Sequence, residues 1–211
     1  MDLLNYLYNA PFSTESLFLG YTNSFFPMWI DDSGVIEWFS PDPRAVFPLD
    51  NIKISRSLRR TLRKRSFEFT VDTDFGEVIR CCSERADCWI SDEIIDIYTE
   101  FHRQGYAHSV ETRQNGLLVG GLYGVSIGSA FFGESMFSRV DDASKAAFAM
   151  LMAHLNERGF TLLDTQFINP HTESLGAVEI PRREYLRRLH SAVYIPCDFG
   201  TGWRDYSHKY L

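Results

Sequence analysis

Residues 107–138 read AHSVETRQNGLLVGGLYGVSIGSAFFGESMFS. Asn115-Gly116 is the strongest short hairpin signal, because both central positions of a type I′ turn need positive φ. Gly128-Ser129 marks a second turn. The stretches beside these turns, residues 107–113, 117–127 and 130–137, are rich in β-branched and aromatic side chains. They predict a three-strand antiparallel meander.

Working outward, Ser91 can cap a helix whose first turn holds Asp92 and Glu93, favourable at the positive end of the helix dipole. Ile94, Ile97, Tyr98 and Phe101 recur at i, i+3, i+4, i+7, and Gly105 supplies the stop. After the meander, Phe148, Leu151, Met152 and Leu155 share one face of a helix expected over residues 143–158, closed by Gly159. A strand over 160–168, a short helix near 172–176 and a basic helix over 181–190 follow. This order predicts an α+β fold with one mixed sheet and flanking helices, and it is similar to the core of the N-acetyltransferase (GNAT) fold. Residues 1–80 differ in texture, being turn-rich, and residues 66–71 alternate like a strand. We therefore expect a small N-terminal domain over 1–80 and a GNAT-like catalytic domain over 81–211.

The chain has 211 residues, 45% of them apolar and 15% aromatic, enough to bury a sizeable core and to exclude global disorder. Its net charge of −7 argues against a surface that coats nucleic acid or anionic membrane indiscriminately. Met1-Asp2-Leu3-Leu4 has no positive n-region, and no run of about 18 apolar residues is present, so neither a secretory signal nor a membrane span is expected. Cys81, Cys82, Cys88 and Cys197 form no CxxC pair; adjacent Cys81 and Cys82, read as strand residues, would face opposite ways. That suits reduced thiols in the cytoplasm better than zinc or disulfides.

Against the acidic total stands one segment. Lys53, Arg56, Arg59, Arg60, Arg63, Lys64 and Arg65 place seven cations in thirteen positions without an acid. In a helix, Arg56, Arg59, Arg60 and Arg63 share a face while Leu58 and Leu62 anchor another. Such like charges repel, which points to a polyphosphate or RNA partner. Arg182, Arg183, Arg187 and Arg188 form a second cluster that can extend this surface. Outside the two segments the chain carries 27 acids against ten bases.

On the strand expected over 160–168, Asp164 and Gln166 are two apart and so share a side. Glu134 sits in a meander strand otherwise made of Phe and Met. Acids in such apolar strands are either paired, with Arg139, Lys145 or Arg182 as the available cations, or functional, because an uncompensated buried charge is costly.

Longer motifs are more specific. Trp38-Phe39-Ser40-Pro41-Asp42-Pro43-Arg44-Ala45-Val46, Ser55-Arg56-Ser57-Leu58-Arg59-Arg60 and Ala107-His108-Ser109-Val110-Glu111 resemble segments of the bacterial leucyl/phenylalanyl-tRNA–protein transferases. So do residues 118–125, 132–139, 143–145, 163–171 and 174–182, in the same order over about residues 20–190. The resemblance implies transfer of leucine or phenylalanine, and methionine less well, from aminoacyl-tRNA to the N-terminal Arg or Lys of a protein, marking it for N-degron degradation. It implies no metal or soluble cofactor, since the tRNA ester already activates the acyl group, and a cytoplasmic monomer.

By the same resemblance Asp164 and Gln166 match the catalytic pair and Glu134 a nearby acid. One account has Asp164 polarise Gln166, which accepts a proton from the attacking amine. The other, which we favour, has Asp164 and Glu134 hold the acceptor while Gln166 hydrogen-bonds. An α-amine with pKa about 7.7–8.0 is already partly neutral at pH 7, and a neutral amide is a poor base. Trp89, Leu122, Phe131, Met136 and Leu163 match the aminoacyl pocket, and Arg56, Arg60 and Arg63 match cations that hold the tRNA acceptor stem. The family's Phe-Pro-Trp is Phe26-Pro27-Met28 here, with Trp29 one place later, which leaves the donor preference open. Two other readings are an acyl-CoA-dependent N-acyltransferase and a non-catalytic tRNA-binding module. The first needs a glycine-rich pyrophosphate loop, but residues 138–143 lack glycine and carry Asp141 and Asp142. The second is disfavoured by the retained Asp164, Gln166 and Glu134.

Overall fold

The computed structural model describes residues 3–30, 33–50, 53–84, 88–200 and 203–210. Two helices, α1 (Leu3–Asn9) and α2 (Thr14–Thr22), lead into a two-stranded ribbon of β1 (Phe26–Ile30) and β2 (Val35–Phe39). Then come β3 (Arg44–Phe47), α3 (Arg56–Arg63), β4 (Glu68–Val71), α4 (Phe75–Ser83) and α5 (Asp92–Arg103). The meander follows as β5 (Ala107–Gln114), β6 (Leu117–Ile127) and β7 (Ala130–Ser138). The chain continues through α6 (Ala143–Arg158), β8 (Leu162–Asp164), α7 (Pro170–Leu175), β9 (Val178–Ile180), α8 (Arg182–Ala192) and a 3₁₀ turn, Ser207–Tyr210.

Local chemistry sets these limits. Asn115 and Gly116 both have positive φ, 52° and 77°, as the hairpin requires. The Ser91 hydroxyl accepts the Ile94 N–H at 3.3 Å and caps α5. Gly120 lets the start of α6 lie directly on β6: a Cβ there would fall 2.5 Å from that of Ala143.

Seven strands form one mixed sheet in the order β4-β5-β6-β7-β8-β3-β9. Among the described residues only β7 and β8 run parallel, joined by the crossover helix α6. Buried clusters cover both faces. One gathers side chains of α2, α4, α5 and α8; the other gathers α6, the two leucines of α3 and the C-terminal Phe199 and Tyr206. From Ala143 to Leu155, every residue of α6 but Lys145 is buried, rather than one stripe. The reason is that α3 and the C-terminal segment lie over its outer side. His154, fully buried, ties that segment down: its Nδ1 pairs with the Tyr206 hydroxyl at 3.0 Å and its Nε2 with the Phe199 carbonyl at 2.8 Å. Burial holds this imidazole below the ordinary histidine range.

Two expectations change, and the expected domain boundary lies within a helix. Cys81 and Cys82 lie on helix α4, not on a strand, and both are buried. The strand expected over 160–168 is only Leu162–Asp164 long. A division after residue 80 falls inside α4 and would remove β3 and β4 from the sheet they complete. Among the described residues, no helix is long and apolar enough to cross a membrane.

Candidate active site

β7 and β8 pair only across Ala130↔Leu162, Phe131↔Leu163 and Phe132↔Asp164. Beyond Asp164 the chain peels away toward β3, the Thr165 N–H reaching the Ala45 carbonyl at 3.0 Å, while β7 runs on beside β6. The gap opens into a cleft of about 880 Å³. Its α6 side is apolar, built by Phe47, Leu122, Met136, Phe148, Leu151 and Leu163. Its other side carries Phe26, Met28, Trp89 and Tyr123. Glu134, Asp164 and Gln166 meet between them.

Asp164 is fully buried and fully occupied. Arg44 donates Nε to Oδ1 at 2.9 Å and Nη2 to Oδ2 at 2.6 Å; Tyr185 Oη donates to Oδ2 at 2.9 Å, and the Gln166 backbone N–H to Oδ1 at 3.0 Å. The Arg44 guanidinium, also fully buried, lies 4.8 Å from the Phe26 ring and 4.7 Å from that of Tyr185, and its Nη1 reaches the Ser24 carbonyl. This is the planar, bidentate geometry in which a buried ion pair offsets its desolvation. None of the three cations considered from the sequence is the partner: Arg139 pairs with Glu84, Lys145 with Asp142, and Arg182 reaches the Ser40 carbonyl. Both oxygens of Asp164, expected from the sequence to hold the acceptor, are engaged by partners within the fold.

Gln166 does not share a strand face with Asp164. It lies beyond β8 at φ 58°, a left-handed conformation uncommon for a residue with a side chain. The Asp164 carboxylate on its N–H and the Ala45 N–H on its carbonyl (3.1 Å) hold it there. From that position Nε2 donates to Glu134 Oε1 at 2.9 Å.

Glu134 is placed by a β-bulge. Tyr123 pairs with Ser135 and Gly124 with Gly133, so Glu134 is the extra residue on β7. The bulge reverses the alternation: Phe131 and Met136 join the α6 side, Phe132 and Phe137 the other. Glu134 meets the hydroxyls of Tyr21 on α2 and Tyr98 on α5, which hydrogen-bond to each other. Burial pushes the Glu134 carboxyl up to about 8, with the Asp164 charge adding to the shift and both hydroxyls and Arg44 opposing it.

Of the expected pocket residues, Trp89, Leu122, Met136 and Leu163 line the cleft. Phe131 lies in the core instead, stacked on Phe199 at 5.1 Å. Met28 lines the cleft, whereas Trp29, next along β1, donates its N–H to the Trp89 carbonyl at 3.0 Å. Arg56, Arg60 and Arg63 are exposed on α3 and form no ion pair among the described residues, while Leu58 and Leu62 are buried beneath them. The second basic cluster is partly spent, Arg187 and Arg188 both pairing with Glu184. Sequence reasoning missed Arg44, Tyr185, Tyr21 and Tyr98. Arg44 left a signal: it is the one charge in the otherwise apolar run Arg44-Ala45-Val46-Phe47, whose four residues are all buried.

Two family models match the chain. That described as leucyl/phenylalanyl-tRNA protein transferase covers residues 46–190, and that of the family's N-terminal domain covers residues 10–42. The chain belongs to the leucyl/phenylalanyl-tRNA protein transferase family. The leucyl/phenylalanyl-tRNA–protein transferase of Gloeobacter violaceus is 54% identical over 185 residues, 88% of this chain and 96% of its own length. That of Herpetosiphon aurantiacus is 50% identical over 188 residues, 89% of this chain and 97% of its own. Among solved structures, ribosomal-protein-alanine N-acetyltransferase from Brucella melitensis biovar Abortus 2308 aligns with 51% of this chain and 84% of its own, at 15% identity and a TM-score of 0.38. The two transferase-family segments adjoin at residues 42–46, where β3 begins.

Proposed function

We propose that this chain joins leucine or phenylalanine, delivered as a tRNA ester, to the N-terminal Arg or Lys of an acceptor protein. The observation that carries the reading is the two-sided cleft, apolar toward α6 and polar at Glu134 and Gln166, opening where β7 and β8 part. Leu122, Met136 and Leu163 receive the acyl side chain, with Trp89 across from them. Such a pocket discriminates modestly, since a methylene is worth about 1–3 kcal/mol.

Glu134 takes a proton from the acceptor's α-ammonium and passes it to water. Its carboxyl, at about 8, matches an α-amine of about 7.7–8.0 far better than a neutral amide could. The neutral amine then attacks the ester carbonyl; the C–N bond forms, the bond to the ribose oxygen breaks, and the second proton leaves nitrogen for that oxygen. Gln166 fixes the Glu134 carboxyl, and Asp164 is a positioning residue that acts through the Gln166 backbone. Arg56, Arg60 and Arg63 hold the acceptor stem of the tRNA, in keeping with their exposure and lack of ion-pair partners among the described residues. The product carries a destabilising N-terminal residue, and these substrates put the work in the cytoplasm. One chain supplies the whole cleft, as expected of a monomer.

An acyl-CoA donor fits less well. At the N-terminus of α6, Ser138 Oγ already accepts the Ser144 N–H at 3.1 Å, and the Asp142 carboxylate stands beside it. The test is transfer of labelled Leu, Phe and Met from charged tRNA to peptides beginning with Arg, Lys or Ala. Leu and Phe should go to Arg and Lys only; equal transfer to Ala rejects the acceptor assignment, and none from charged tRNA rejects the reading.

A further inference from the structure

The cleft holds a buried polar group that this mechanism leaves unused. Tyr123 lines it from β6 and is fully buried, yet its hydroxyl has no hydrogen-bond partner among the described residues. A buried hydroxyl without a partner is costly, so its persistence at a substrate cleft calls for a ligand. The Tyr21 and Tyr98 hydroxyls are spent on each other and on Glu134, which leaves the phenol oxygen of Tyr123 available.

The surroundings select the ligand. Tyr123 lies in the electrostatic reach of Glu134, and the Tyr98 ring packs edge-on to it at 5.8 Å. Trp89 lines the same cleft, so this arm presents electron-rich ring faces beside Glu134. Among the described residues the one Lys or Arg lining the cleft, Arg139, is bound to Glu84 and to the Cys81 sulfur. Phenol oxygen accepts hydrogen bonds, whereas a guanidinium or ammonium has donors only. A leucine or phenylalanine side chain would leave the hydroxyl unpartnered, and the apolar arm against α6 already suits it.

We propose that Tyr123 is a specificity-determining residue for the acceptor, its phenol oxygen accepting a hydrogen bond from the cationic side chain of the N-terminal Arg or Lys while the surrounding rings stack against that cation. The inference rests on the aminoacyl-transfer reading above and adds a residue to its acceptor side.

Tyr123→Phe tests it, since the change keeps the ring and removes only the oxygen. The KM for Arg- and Lys-peptides should rise about tenfold, the KM for leucyl-tRNA should stay within about twofold, and thermal stability should hold or increase. An unchanged peptide KM in an active variant overturns this inference alone. So does a fall in melting temperature beyond about 2 °C, which would show the hydroxyl to be partnered inside the fold. Failure of the unmutated enzyme to transfer to Arg-peptides overturns the transfer reading and this inference together.

Discussion

Asp164, at the end of β8, is held by a bidentate arginine, a tyrosine hydroxyl and a backbone N–H. Glu134, on the neighbouring strand β7, meets an amide and two tyrosine hydroxyls that also bind each other. Both acids line one cleft, but they solve the problem of burial in opposite ways. Asp164 is met by the bidentate guanidinium of Arg44, buried with it. Among the described residues Glu134 has no ion-pair partner, so burial favours its protonated form and leaves it able to exchange a proton near neutral pH. Residue type and burial alone therefore do not separate a structural acid from a chemical one; the partner does.

The sharpest way to break the comparison is to remove the charge on Asp164. Asp164→Asn leaves Arg44 buried against a neutral partner, at a cost of about 3–5 kcal/mol, or roughly 10 °C in melting temperature. Transfer should be lost with it. Replacing the pair together, Arg44→Met with Asp164→Leu, should recover much of the stability but none of the transfer. Unfolding scans decide this: a single variant that melts like the parent contradicts the structural role.

Glu134→Gln should act in the other direction. The folded protein keeps a proton that an unfolded glutamate, with its ordinary value of 4.5, has released, so stability falls as pH rises from about 4.5 to about 8. Glutamine cannot lose that proton. The variant should therefore melt roughly 10 °C higher than the parent at pH 9 and nearly level with it at pH 5. Its transfer rate should fall for Arg- and Lys-peptides alike. Parallel melting curves across this range would remove Glu134 from the titrating role, and a loss confined to Arg-peptides would make it a side-chain receptor instead.

Tyr185→Phe is a smaller lesion on the Asp164 side, deleting one of four hydrogen bonds for about 1–2 kcal/mol with transfer only reduced. A loss as large as that of Asp164→Asn would mean that Arg44 alone does not secure the carboxylate. The smallest effect on the fold belongs to Arg56→Glu with Arg60→Glu. As exposed changes on α3 they should leave both acids and the melting temperature undisturbed. Aminoacyl-tRNA binding should weaken, and its salt slope flatten by about 0.7–0.9 for each phosphate that is no longer neutralised. An unaltered slope takes α3 out of the tRNA path.

What could be read in advance follows the range of the interactions. Asn115-Gly116, Ser91 and Gly159 act on neighbours a few residues away, and the meander and both long helices lie where those signals put them. The basic helix was equally plain, because charge spacing and two buried leucines are local facts. The Asp164 environment was not, since Arg44 lies 120 positions upstream and Tyr185 is 21 downstream. Gln166 was misplaced because alternation holds only while a strand continues, and this one ends at Asp164. Phe131 was assigned to the pocket although Phe199, from the C-terminal segment, claims its face. The bulge at Glu134 was hidden for a similar reason: it shows only when the partner strand is counted alongside.

That count is itself a constraint. Phe132 and Phe137 are five positions apart and still face the same cluster, which an uninterrupted strand forbids. Removing one residue between them, Ser135 for instance, would restore ordinary alternation with Met136 and Phe137 on the sides they now hold, while Glu134 would take the paired place opposite Tyr123. Both apolar faces would be kept, and the carboxyl that meets Gln166, Tyr21 and Tyr98 would still be moved. In this strand the number of residues, apart from their identity, sets where its acid stands.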